Sequence, residues 1–78
     1  MNKITHNDIL STVEALIDNQ QHVIKELMKK TEPLSFEDIV WFRETQADLL
    51  RLVIFEKAFA TGTGYDSELL EEILDYAE

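Results

Sequence analysis

A single proline, Pro33, separates two stretches of about 25 residues in which apolar side chains recur at helical spacing. Proline supplies no backbone N–H and pushes the residue before it, Glu32, out of the helical region, so no helix runs through this point. Directly after it, Ser35-Phe36-Glu37-Asp38 has the Ser-x-x-acid order of a capping box. Leu34 and Ile39 occupy the two positions of a hydrophobic staple. A helix therefore starts near Phe36, and two long helices joined by so short a break form an antiparallel hairpin.

The first helix is expected over about residues 6–30, with Thr5 and Asp8 as its capping pair. Ile9, Leu10, Val13, Leu16, Ile17, Val23, Ile24, Leu27 and Met28 fall within an arc of about 140°. Asp8, Glu14, Asp18, His22, Lys25, Glu26, Lys29 and Lys30 fall outside it, and Gln20 is the one polar residue near its middle. Such separation describes a helix with one buried face.

The second helix is expected over about 36–60, with Gly62 as its stop. Its apolar residues take two faces. The larger holds Phe36, Ile39, Val40, Phe42, Ala47, Leu49, Leu50, Val53, Ile54 and Ala58; nearly opposite lie Trp41, Leu52, Phe55 and Phe59. A helix with one neighbour needs one apolar face, so this one has at least two neighbours. With the larger face turned to the first helix and the turn centred on Pro33, facing residue numbers sum to about 66. Val13 then meets Val53, Leu16 meets Leu50, Leu27 meets Ile39, and Gln20 meets Gln46 as a hydrogen-bonded register device.

A short third helix is expected over about 67–76, entered through Asp66 as N-cap, with Leu69, Leu70, Ile73, Leu74 and Ala77 on one side. Glu68, Glu71, Glu72, Asp75 and Glu78 hold the other. Folded back on Leu52, Phe55 and Phe59, it reaches about 18 Å along the second helix and stops short of Trp41. Trp41 is thus a candidate exposed aromatic, flanked on its own side by Glu44 and Asp48. The expected fold is all-α: a single domain, 1–78, made of a long two-helix hairpin and a short C-terminal helix. The leftover apolar stripes suit a homodimer that completes a helical bundle.

Charge and composition narrow the function. Seven basic and sixteen acidic residues give −9, and residues 61–78 carry six acids and no base. Counterion release rewards Lys and Arg, so direct binding to nucleic acid or to an anionic membrane is not expected. No apolar run exceeds four residues, as in Leu52 to Phe55, so no membrane span is expected either. The absence of cysteine excludes disulfides and thiolate metal sites and accords with a cytoplasmic setting.

Chemistry-bearing patterns are weak. Asp18 and His22 stand at i and i+4, but on the polar face of the first helix, so no metal is expected. Thr61-Gly62-Thr63-Gly64 lacks the strand and lysine of a phosphate loop. The carboxylate pairs Glu37-Asp38 and Glu71-Glu72 lie at a helix start and on a solvated face, with no cleft to shift their pKa values. Ser11, Ser35 and Ser67 have no histidine placed to activate them. The expectation is no enzyme and no cofactor.

What remains is a small acidic protein-binding module that blocks or stabilises another protein, one with a basic rim. Trp41, Glu44, Asp48, Leu52, Phe55 and Phe59 are the candidate contact residues. The alternatives are a nucleic-acid mimic using the acidic surface of Glu68, Glu71, Glu72 and Asp75, or a chaperone for a secreted or assembled subunit. In general form the chain resembles the small helical-hairpin proteins, some of them phage-encoded, that act as chaperones, adaptors or inhibitors.

Overall fold

The structure, a computed structural model, describes residues 3–77 and contains three helices: α1 (His6–Met28), α2 (Phe36–Thr61) and α3 (Ser67–Ala77). No strand occurs among the described residues. Glu78, assigned above to the acidic side of α3, lies outside them.

The helix ends form as their local chemistry dictates. Thr5 Oγ1 accepts from Asp8 N–H at 3.1 Å while Asp8 Oδ2 accepts from Thr5 N–H at 2.9 Å, a reciprocal capping box. Ser35 and Asp38 repeat it at the start of α2, at 3.1 and 3.3 Å. Asp66 Oδ1 accepts from the N–H groups of Glu68 and Leu69 at the start of α3. Gly62 ends α2 in the left-handed region, at φ +73°. Any side chain there would strain the backbone, although open space surrounds the position. Its N–H still reaches the last carbonyls, Ala58 O and Phe59 O.

α1 presents the expected face except at its end: Ile9, Val13 and Leu27 are buried, Leu10, Leu16, Ile17, Val23 and Ile24 are half-buried, and Met28 is 73% exposed. α2 does not. It turns Leu52 and Phe55 inward, with Thr45 buried and Phe59 half-buried; of the larger apolar face Phe42, Leu49 and Ala58 are half-buried and the rest is exposed. Phe36 is 79% exposed, Leu50 61% and Ile54 60%, and Ile39, Val40 and Val53 are exposed too. The expected register is therefore corrected. Val53, Leu50 and Ile39 do not cover Val13, Leu16 and Leu27, Gln46 is exposed, and no Gln20–Gln46 hydrogen bond forms among the described residues. Helix α2 is rolled about its axis so that Thr45 points inward where Gln46 was expected.

The placement of α3 gives the physical reason. Sandwiching α2 between α1 and α3 would cover both of its apolar faces. Instead α3 sits against α1 and meets α2 from the side, so that all three helices share one core. Val13 of α1, Phe55 of α2 and Ile73 of α3 are each at most 1% exposed within it. Phe55 is buried in that core and Phe59 packs against it, which removes two large aromatic side chains of α2 from water. The aromatic end is closed by Phe59, which stacks on Phe55 at 5.3 Å and on His6 at 4.4 Å, and by Tyr65, which sits edge-on to both phenyl rings.

Candidate partner-binding surface

The hairpin groove is only partly filled. α3 lies over the half far from the Pro33 turn, and its last turn places Tyr76, 70% exposed, beside Leu16, Gln20 and Asp48. Beyond Tyr76 the same side of the hairpin continues as an open hollow. Val23 and Leu27 of α1 form one wall, Trp41 of α2 forms the other, and His22, Glu26, Lys29 and Lys30 stand at its edge. Helical spacing puts Asn19, Val23 and Glu26 in line on α1, and Asp48, Glu44 and Trp41 in line on α2. Trp41 is 52% exposed and lines the hollow.

The charges around it are unevenly satisfied. On the turn side, Lys29 pairs with Glu26 at 3.2 Å and Lys30 with Asp38 at 3.0 Å across the break between helices. The Lys30 ammonium, with the Ser35 N–H, holds the Asp38 carboxyl below the usual carboxylate range. Further along α2, Arg51 clasps Asp66 through two nitrogens, at 2.9 and 3.1 Å, and lies 3.6 Å from Glu72. That contact lowers the Asp66 pKa and raises that of Arg51. Between these two engaged clusters, Glu44 and Asp48 are exposed and form no ion pair among the described residues.

The candidate contact residues thus divide. Trp41 lines the open hollow, Asp48 lines the cleft beside Tyr76, and Glu44 is exposed on α2 between them without lining either. Leu52 and Phe55, expected beside them, are core residues at 6% and 1% exposure and offer nothing to an outside molecule. Phe59 is half-buried under His6 and Tyr65. Glu68, Glu71, Glu72 and Asp75 are all exposed on α3, with Glu72 drawn toward Arg51. Sequence reasoning missed Tyr76 at the groove's end, Arg51 as the latch of α3 and His6 as an aromatic cover. Arg51 pairs with Asp66 and approaches Glu72 of the acidic C-terminal segment, a signal that charge pairing across the Gly62 joint could have supplied.

Among the described residues no three His, Cys, Asp or Glu side chains are grouped to hold a metal ion, and no helix is long and apolar enough to cross a membrane. No protein-family model, no curated protein and no solved structure matches this chain.

Proposed function

We propose that this chain is a non-enzymatic protein-binding module that seats an amphipathic helix of another protein in the groove beyond α3, and so blocks or stabilises that protein. The observation that carries the reading is Trp41: a half-exposed indole over an apolar hollow in line with a helix that already occupies the other half of the same groove. A groove that holds α3 by Leu69 and Ile73 has the width for a second helix. Tryptophan is the side chain that most often anchors such contacts, since it removes a large apolar area from water. Glu44 and Asp48, exposed and unpaired along α2 between the hollow and Tyr76, favour a helix with Lys or Arg along that edge, while Lys29 and Lys30 at the turn end favour an acid there. A chain without cysteine suits this work in the reducing cytoplasm.

Affinity capture from native lysate, run in parallel with wild type and Trp41→Ala, tests it. The variant is expected to stay helical, as Trp41 lies outside the core, and to lose the captured protein. Titration of the purified partner should shift the emission of Trp41, the single tryptophan, to shorter wavelength. Capture by both forms alike, or an unchanged spectrum, would reject the groove. Binding that survives Trp41→Ala but is abolished by salt and by neutralising Glu71, Glu72 and Asp75 would transfer the function to nucleic-acid mimicry.

A further inference from the structure

The outward face of α2 has a regular pattern. Phe36, Val40, Arg43, Ala47, Leu50, Ile54 and Lys57 follow one another at alternating steps of four and three, the spacing of a coiled-coil seam, and none is buried. Ile39, Gln46 and Val53 flank the seam on one side, and Glu37 and Glu44 on the other. These positions lie on the opposite side of α2 from Leu52 and Phe59, away from the three-helix core. Among the described residues no further helix or strand remains to lay over them.

We propose that this face pairs with the same face of a second copy of the chain, antiparallel, about a two-fold axis level with residue 45. The pattern is self-complementary in that alignment and in no parallel one. With facing residue numbers summing to about 90, Phe36 meets Ile54, Val40 meets Leu50, and Arg43 meets Ala47, each contact occurring twice as a two-fold axis requires. On the flank, Ile39 meets Val53 and Gln46 meets its own copy. The small Ala47 leaves room for the guanidinium of Arg43 to cross the seam toward Glu44 of the second copy. Parallel, in-register pairing would instead stack Arg43 on Arg43 and Lys57 on Lys57, two like-charge contacts at seam positions. The area is adequate. A standard interface takes about 800 Å² from each partner, about an eighth of the 6071 Å² surface. α2 holds 26 of the 78 residues and turns roughly half its circumference outward. Because the seam and the Trp41 groove lie on different sides of α2, this pairing does not depend on the groove's having a partner.

Sedimentation equilibrium over a concentration series tests the pairing, and single cysteines placed in this cysteine-free chain test its direction. The wild type is expected to dimerise, and Leu50→Glu to weaken the dimer at least tenfold while circular dichroism stays helical. Val40→Glu serves as the second variant should Leu50→Glu lose its helices. Gln46→Cys, beside the axis, should form a disulfide-linked dimer on air oxidation, whereas Ile54→Cys, whose two copies lie about 27 Å apart along the antiparallel pair, should not. A chain that is monomeric throughout the series, a dimer untouched by both glutamate variants, or ready cross-linking of Ile54→Cys would overturn the proposal.

Discussion

Asp66 combines two tasks in one carboxylate: it caps α3 through the N–H groups of Glu68 and Leu69, and it receives the Arg51 guanidinium. Both favour the ionised form, the arginine most, so its pKa in the folded chain lies below the ordinary value. A carboxylate depressed in this way stabilises the fold at pH above its unfolded pKa, about 3.9, and that contribution is lost as pH falls through the lower folded value. Acid is therefore expected to loosen α3, read as loss of the Leu69 and Ile73 amide signals from their native positions. Asp66→Asn keeps a competent cap but removes the charge. In that variant α3 should be weaker at neutral pH and its response to acid flatter. An acid transition identical to wild type would assign the effect to Asp8, whose pKa is lowered by its capping contacts with Thr5, and to Asp38, whose pKa is lowered by Lys30 and then by Ser35.

At the scale of the element, α2 decides what the molecule is. It is apolar on both sides, so neighbours in sequence have opposite fates: Phe55 is 1% exposed and Ile54 60%. Phe55→Ala removes the ring that all three helices share and is expected to cost about 3–5 kcal/mol, enough to unfold a domain of this size. Ile54→Ala, measured by urea unfolding at low protein concentration, should change stability by no more than about 0.5 kcal/mol. Its cost should grow as concentration rises if the outer seam is covered by a second copy. Equal effects of the two substitutions at low concentration would mean that α2 is rolled differently in solution.

For the whole molecule, the two sides of α2 imply two separate contacts, one in the groove by Trp41 and one along the outer seam. Leu50 and Trp41 lie on different faces of α2, and Glu44 is the one residue that borders both surfaces. Leu50→Glu is therefore expected to leave Trp41-dependent partner binding within about twofold, and Trp41→Ala to leave the monomer–dimer equilibrium within about twofold, because distant sites without shared contacts act additively. Loss of both properties in either variant, with helicity intact, would show one composite surface and not two. The acidic end fits this division. α3 is held by Leu69 and Ile73 from below and by Arg51 from the side, which leaves Glu68, Glu71 and Asp75 facing water.

The three helices, their ends and the buried face of α1 were determined by the sequence alone, because each depends on residues within about one turn of one another: Thr5 with Asp8, Ser35 with Asp38, Asp66 with Leu69, Gly62 after Thr61. The exposure of Trp41 was also legible, from the length of α3 against the distance to the tryptophan. The roll of α2 was not. A helix apolar all round offers two faces of similar transfer free energy, and nothing local ranks them. Only the three-helix core, in which Phe55 touches elements from both ends of the chain, made the smaller aromatic stripe the inner one. That choice moved Leu52 and Phe55 from the candidate surface to the core, and it put Phe36, Leu50 and Ile54 in water.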